Sequence, residues 1–493
     1  MASIRQPQRY SEALTYATDV GVLGVFRVLA RLRGLILLPI IARGLGAAAY
    51  GAWTQSLVAV TIGGSIVLMQ LDVAVVRFVS GTDSRSEQRS IFLPILLVVM
   101  AASVLAACFS FLFPAGIAAV ILGDAKYQEI AAWLGAWIGL SAIGQLGIQL
   151  QRGLHHVKLY GFLSLTEILG QLVIVAILIL LKGDLLVAVR GAIAWDGAFA
   201  LFVVLLAVRS IGVSSPEWGT LRSTLRFSLP LVPSYLARAV LAYSDRLFIA
   251  ARLGSAAVGV YTAAYGLARI VREIAVPIGT AVLPAVSRAW DRANRAQARW
   301  LLANTLWFYV LVAVPAAAGL SILGRDALGM LATESIVRAA GLLIPVMALA
   351  SVLWGIRSIF AVALQLVKNT RGLAVSHGLA SIVYLPVLVI AVERWGLIGG
   401  AAASIVGSGL ALTLTALLSR RTIEFEIPWV ASLKAVLAAA GMAIIVAWSK
   451  MPSLFGLLLS VTLGAATYLA LLGLLGVIRK REMKFIVSLL RRE

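Results

Sequence analysis

The chain has 493 residues, of which 61% are apolar and 13% are charged, whereas a soluble domain is about 45 to 50% apolar and about 25% charged. This composition excludes an ordinary soluble protein and predicts a polytopic membrane protein. The formal net charge of +21 would suit a nucleic-acid partner, but most of the positive residues fall in the segments between long apolar runs.

Fourteen apolar runs follow one another along the chain, and each is long enough to cross a hydrocarbon core of about 30 Å as a helix. The runs are continuously apolar rather than alternating with a period of two, which argues against a β-barrel. We therefore predict an all-α protein with about fourteen transmembrane helices. The runs lie near 20–43, 52–76, 91–113, 130–150, 159–181, 185–208, 226–251, 256–287, 300–323, 336–366, 372–392, 396–419, 430–449 and 453–478.

The positive residues are distributed unequally between the two sides of the membrane. With a cytoplasmic amino terminus, 25 of the 42 Lys and Arg residues fall on the inner side and 7 on the outer side. Inner loops of membrane proteins are enriched in Lys and Arg. This asymmetry predicts that both termini are cytoplasmic, and it explains much of the net charge without nucleic acid.

Ten arginines fall within the apolar runs or at their edges. Exposed to lipid at about 2.5 to 3.5 kcal/mol each, they would cost on the order of 30 kcal/mol, so they must be paired, reach the interface or face water. Only about six acids share these runs, which leaves a positive remainder. The remainder favours a water-filled cationic cavity for an anion such as phosphate, whereas the plainer alternative is that each arginine pairs with an acid and stabilises helix packing. The ten are Arg27, Arg31, Arg33, Arg190, Arg238, Arg246, Arg269, Arg272, Arg338 and Arg357.

Spacing groups some of these arginines. Arg27 and Arg31 are four residues apart and share a face of the first helix. Arg269 is four residues before Glu273 in the eighth helix, with Arg272 beside them. These four arginines would place positive charge inside the membrane, in the first and eighth helices.

The buried acids have two interpretations. Glu273 and Asp245 either neutralise neighbouring arginines or bind a transported proton or Na⁺. The histidines, at 155, 156 and 377, are too few and too scattered for a metal site. We predict no catalytic residues, no metal and no cofactor, and the sequence has no Walker A loop for ATP.

One small-residue phrase occurs twice. LGAAAYGAWT at 45–54 and LGSAAVGVYT at 253–262 lie 208 residues apart, and two fainter matches have offsets of 213 and 214. These matches predict a duplicated six-helix unit of parallel topology, with tight turns at Gly46 and Gly254. The predicted divisions are an amino-terminal lobe (1–209), a cytoplasmic linker (210–222), a carboxy-terminal lobe (223–421), and two further helices with a basic tail (422–493).

Four stretches carry a family resemblance: LARLRGLILLPIIARGLGAAAYGAW (29–53), RFSLPLVPSYL (226–236), YSDRLFIAARLGSAAVGVYTAAYGLAR (243–269) and PIGTAVLPAVSR (277–288). They resemble the polysaccharide-transporter branch of the multidrug, oligosaccharidyl-lipid and polysaccharide exporter (MOP) superfamily, which includes the Wzx-type flippases. The most specific part is Asp-Arg followed by Leu-Gly and Gly-x-Tyr.

This resemblance implies the two-lobed, fourteen-helix MOP flippase fold and alternating access. It implies a flippase that moves undecaprenyl-diphosphate-linked oligosaccharide repeat units across the bacterial inner membrane for exopolysaccharide or O-antigen (lipopolysaccharide) synthesis. A polysaccharide polymerase and a chain-length regulator are then candidate partners. By position, the candidates for the diphosphate are Arg27, Arg31, Arg269 and Arg272, and a cation gradient would act through Glu273 and Asp245.

Two alternatives remain open. A multidrug or organic-cation exporter of the same superfamily would share the fold but would need an acidic cavity. A membrane-embedded polysaccharide polymerase or ligase would be an enzyme, and it would carry a long outer loop with reactive side chains. The outer loops here, near 114–129 and 324–335, are short and contain no His or Cys.

Overall fold

The protein is described by a computed structural model covering the backbone of residues 5–82, 84–213, 215–367, 369–449 and 453–477. Side chains are described in the same ranges except 5–32, 35, 276–281 and 370. The principal elements are helices α1 (Arg5–Leu68), α2 (Leu71–Val79), α3 (Arg85–Leu112), α4 (Pro114–Ile117), α5 (Gln128–Gly153), α6 (Val157–Lys182), α7 (Leu185–Ile211), α8 (Trp218–Ser228), α9 (Val232–Glu273), α10 (Ala275–Asp291), α11 (Arg295–Gly329), α12 (Glu334–Ala340), α13 (Leu343–Leu366), α14 (Thr370–Arg420), α15 (Trp429–Trp448) and α16 (Leu454–Leu474).

The number of membrane crossings agrees with the sequence. Eleven helical stretches of the described residues are long and apolar enough to span a bilayer. Two of them are much longer than one crossing needs, and each is broken by a non-helical glycine, Gly254 in α9 and Gly396 in α14. The predicted first crossing, 20–43, falls in the helical backbone of α1. The prediction of about fourteen transmembrane helices is thus confirmed.

The repeated phrase forms the same backbone turn in both places. Gly46 interrupts α1 with φ 86° and ψ 175°, and Gly254 interrupts α9 with φ 83° and ψ 173°. An L residue with a side chain rarely adopts a positive φ, so glycine is the residue that permits this turn. The two predicted turns are confirmed.

The same phrase also brings two helices into backbone contact. A methyl group on Gly51 would overlap the carbonyl oxygen of Ser255, and one on Gly259 would overlap that of Ala47. Ala47 and Ser255 are themselves 208 residues apart, so the contact is reciprocal between the two copies. Small residues four apart allow such close approach of helices in membranes.

Inter-residue contacts divide the chain into two compact units, Met1–Gly259 and Val260–Glu493. In the first unit, α5 packs against α3 and α7 around a core that includes Leu71, Ile95 and Leu146. In the second, α13 packs against α11 and α14, and Tyr468 on α16 donates a hydrogen bond to the carbonyl of Leu311 on α11 (2.9 Å). The division into lobes at 210–222 stays a prediction.

The segment predicted as a linker is partly helical. α7 ends at Ile211 and the amphipathic helix α8 begins at Trp218. α8 packs on α2 and α3, where the Thr220 hydroxyl donates to the carbonyl of Ser90 (2.7 Å) and the Arg77 guanidinium lies 4.9 Å from the ring centre of Phe227. The segment after α7 is therefore fixed to the first unit.

Candidate functional site

Two of the four candidate arginines fall where side chains are not described. Arg27 and Arg31 lie in the helical backbone of α1, and their side chains are outside the described residues. Their predicted role therefore stays a prediction.

Arg269 and Glu273 form an ion pair near the end of α9. The Arg269 Nε lies 3.5 Å from the Glu273 Oε1, and both side chains are partly buried, at 35% and 21% exposure. The spacing of four residues places them on one helix face, as the sequence indicated. The carboxylate thus offsets the charge of Arg269.

Arg272 contacts aromatic rings instead of an acid. Its guanidinium carbon lies 5.6 Å from the ring centre of Tyr265 and 5.8 Å from that of Trp354. Among the described residues, no carboxylate forms an ion pair with Arg272. Aromatic faces attract a guanidinium without using its N–H donors, which lie in the guanidinium plane and can bind an anion.

Trp354 also contacts a second arginine that the sequence left without a role. The Arg357 guanidinium carbon lies 4.3 Å from the Trp354 ring centre. Its Nη1 lies 3.0 Å from the Nε2 of His377 on α14, and the His377 ring is 6.4 Å from that of Trp354. Arg357 and His377 are only 8% and 6% exposed, so the second unit contains a buried basic group around one indole.

Close packing of α11 against α13 fixes this indole. A methyl group on Gly355 would overlap the hydroxyl of Tyr309, which donates at 3.4 Å toward the carbonyls of Ser351 and Val352. Gly355 directly follows Trp354 in the sequence. Because Gly355 lies directly against Tyr309, a shift of α13 would displace Tyr309. This contact therefore holds Trp354 in place relative to α11.

Asp245, the second candidate for cation coupling, belongs to the first unit. It is buried at 4% exposure, and its Oδ1 accepts a hydrogen bond from the backbone N–H of Arg246 (2.8 Å). The side-chain amide of Gln55 donates to the carbonyls of Arg246 and Ile121, both at 3.0 Å. This part of α9 is therefore tied to α1 by buried polar contacts.

A further polar network lies within the first unit. Arg33 on α1 donates to the Oε1 of Gln171 on α6 (2.7 Å), and the Gln171 Nε2 donates to both carboxylate oxygens of Asp196 on α7 (3.0 Å each). The indole of Trp137 on α5 donates to the Asp196 Oδ2 (2.8 Å). Gln171 thus connects a membrane arginine to a buried acid, and one turn earlier α6 carries Glu167.

The charged members of this network are visible in the sequence, whereas their connections are not. Arg33 is one of the ten arginines named above, and Glu167 and Asp196 are two of the acids that lie within the apolar runs. Gln171 and Trp137 are uncharged and carry no such signal. The one available hint was the spacing of four between Glu167 and Gln171, which places both on one face of α6.

Two of the ten arginines are less buried than the sequence suggested. Arg190 lies 3.5 Å from Glu129, and Arg338 lies 2.7 Å from Glu334, with all four side chains more than half exposed. Neither Glu129 nor Glu334 lies inside an apolar run, so neither is among the six acids of those runs. The positive excess within the membrane is therefore smaller than predicted.

The described residues contain no group of three His, Cys, Asp or Glu side chains that could hold a metal ion. What the second unit does contain is a set of arginines on aromatic faces inside an apolar helical protein. Such an arrangement can bind an anion that carries several oxygens. The long apolar helices define a multi-pass membrane protein.

The sequence matches the model of the family described as polysaccharide biosynthesis protein over residues 16–290. This match covers more than half of the 493 residues, so the chain belongs to the polysaccharide biosynthesis protein family, and the predicted resemblance is confirmed. The MatE family model matches residues 230–390. No curated protein matches the chain.

Solved structures show the same fold at low identity. Lipid II flippase MurJ in its inward closed conformation is 15% identical with a TM-score of 0.78, covering 95% of this chain and 99% of its own. An inward-facing multidrug resistance MATE family transporter of the MOP superfamily is also 15% identical, with a TM-score of 0.69 over 81% of this chain and 97% of its own. The chain therefore has the fold that a lipid II flippase and a multidrug transporter share.

Proposed function

We propose that the protein is a flippase for undecaprenyl-diphosphate-linked oligosaccharide repeat units in the bacterial inner membrane, serving exopolysaccharide or O-antigen synthesis. Membership of the polysaccharide biosynthesis protein family and the fold shared with a lipid II flippase support this proposal. The cargo is a large amphiphile with a diphosphate that must be stabilised away from water.

The observation that carries the proposal is the position of Arg272. Its guanidinium lies against Tyr265 and Trp354 with no described carboxylate as an ion-pair partner. A planar guanidinium can donate two parallel hydrogen bonds to a phosphate group, and aromatic rings offer flat apolar faces to sugars. We propose that Arg27, Arg31 and Arg269 join Arg272 in binding the diphosphate.

The proposed drive is a cation gradient acting on alternating access. Glu273 and Asp245 are the proposed coupling acids. A transported cation would compete with Arg269 for the Glu273 carboxylate. Both termini are proposed to be cytoplasmic. A polysaccharide polymerase and a chain-length regulator are the proposed partners, because a flipped repeat unit must next be polymerised.

Complementation of a flippase deletion strain tests the proposal. The wild-type gene should restore the surface polysaccharide, and alanine at Arg27, Arg31, Arg269 or Arg272 should reduce it at unchanged protein level. Full polysaccharide with all four variants would contradict the assigned diphosphate site. Failure of the wild-type gene to restore polysaccharide in its own host would contradict the function itself.

The second candidate is an exporter of organic cations, favoured by the MatE match over residues 230–390. The cationic surroundings of Trp354 oppose it, because like charges repel. Drug susceptibility of the deletion strain separates the two functions. An exporter would protect the cell against cationic compounds, whereas a flippase would change the polysaccharide and leave susceptibility to small cationic compounds unchanged.

A further inference from the structure

The contact between Arg357 and His377 fixes the protonation of the imidazole. A guanidinium has N–H donors and no acceptor, so the His377 Nε2 must accept the hydrogen bond from Arg357 (3.0 Å). The His377 Nδ1 lies 2.6 Å from the carbonyl oxygen of Leu373, which can only accept. The imidazole is therefore neutral, with its proton on Nδ1.

A second proton on His377 would end this arrangement. An imidazolium has donors on both nitrogens, so the Nε2 would face the Arg357 N–H groups donor against donor, and two positive charges would share a buried site. An anion placed between them would accept from both and remove the repulsion. Proton uptake and anion binding at this place would therefore favour each other.

The surrounding charges strengthen this link. Arg272 from α9 contacts the same Trp354 indole as Arg357. Further ionisable groups of this part of the second unit are Tyr309 on α11, whose hydroxyl lies against Gly355, and the ion pair of Arg269 and Glu273 on α9. Arg272 and Arg357 already bring two positive charges to one indole, and the Glu273 carboxylate is held by Arg269. Protonation of His377 therefore adds a third positive charge to the group.

We propose that Arg272, Arg357 and His377 form a binding site for a phosphate-type anion that is filled when His377 takes up a proton. This inference rests on the proposed function, in which the anion is the diphosphate of the lipid-linked cargo. It assigns proton coupling to a histidine in addition to the proposed carboxylates. Release of the proton would restore the Arg357 to His377 hydrogen bond and expel the anion.

Binding to the purified full-length protein tests the site. Farnesyl diphosphate serves as the lipid-linked probe and inorganic pyrophosphate as the free anion. Binding is measured at about pH 8 and about pH 6, which lie on either side of the ordinary histidine pKa of about 6.5. Because a phosphate group itself titrates near pH 6, His377→Gln supplies the baseline: glutamine can accept from Arg357 and cannot become charged. Arg357→Gln tests the partner, and His156→Gln, at an exposed histidine, is the matched control.

Between about pH 8 and about pH 6, the affinity of wild type and of His156→Gln for farnesyl diphosphate should rise about tenfold more than the affinity of His377→Gln. Tenfold is the size expected for one charge-assisted hydrogen bond. Arg357→Gln should lose that gain, which keeps the test valid if one variant fails to fold. Calorimetry in two buffers should show extra proton uptake by wild type on binding. A pH response equal in wild type, His377→Gln and Arg357→Gln would overturn the inference.

The two probes separate the sources of the anion. Tighter binding of farnesyl diphosphate than of pyrophosphate supports the lipid-linked cargo, whereas preference for pyrophosphate would overturn that assignment. The proposed function is decided separately by complementation, so pH-independent binding by a protein that still restores polysaccharide removes only this inference.

Discussion

Gly51 and Gly259 each lie against the backbone of the helix that carries the other. Gly51 approaches the carbonyl of Ser255, and Gly259 approaches that of Ala47. The relationship is reciprocal because both glycines occupy the same place in a phrase repeated at a spacing of 208 residues. The repeat therefore has a packing role that a turn alone would not explain.

Adding a methyl group at this contact should destabilise the protein. We expect Gly51→Ala and Gly259→Ala each to cost about 1 to 3 kcal/mol, since a backbone carbonyl cannot move aside as a flexible side chain can. Gly64→Ala is the control in the same helix, because its methyl group would meet open space and should stabilise the helix by about 0.5 to 1 kcal/mol. Thermal unfolding in detergent should give a lowered midpoint for Gly51→Ala and a raised midpoint for Gly64→Ala. Equal midpoints for these two variants would contradict the contact.

Removing the Asp196 carboxylate should disrupt the polar network of the first unit. Asp196→Ala leaves the Trp137 indole and the Gln171 amide without their acceptor, at about 1 to 3 kcal/mol for each buried unsatisfied group. Asp196→Asn keeps one acceptor oxygen and should cost less. Unfolding midpoints are compared with that of Asp291→Asn, an exposed acid. An Asp196→Ala protein as stable as this control would show that the network contributes nothing.

Lysine at position 272 should separate charge from geometry. Arg272→Lys keeps the positive charge but loses the planar fork that can bind a phosphate with two hydrogen bonds. We expect repeat-unit export to fall about tenfold, the loss of roughly 1.4 kcal/mol, at normal protein level. Arg338→Lys, in an exposed ion pair with Glu334, should export normally. Normal export by Arg272→Lys would indicate that only charge matters there.

Glutamine at position 273 should distinguish coupling from packing. The Arg269 to Glu273 pair is only partly buried, and glutamine keeps a carbonyl oxygen that can accept from Arg269, so Glu273→Gln should fold. If Glu273 couples transport to H⁺ or Na⁺, export by wild type in proteoliposomes should depend on the gradient and export by Glu273→Gln should not. Gradient dependence retained in the variant would assign coupling to another group.

Some features follow from the sequence because their causes are local. Continuous apolar runs determine the membrane class and the number of crossings, since each helix must satisfy its own backbone groups in lipid. Gly46 and Gly254 mark turns because only glycine readily adopts their positive φ. The Arg269 to Glu273 pair also follows from the spacing of four residues along one helix.

Contacts between helices had to await the tertiary structure. Gln171 and Trp137 meet Asp196 from different helices, and nothing in the apolar runs tells which helix faces which. His377 gave no signal as a lone histidine in an apolar run, and its role depends on Arg357, 20 residues away across the turn between α13 and α14. The sequence by itself determined a membrane protein with arginines that lipid could not tolerate. Only the packing of helices decided which acids, amides and aromatic rings surround each of them, because partner choice depends on rotation about each helix axis.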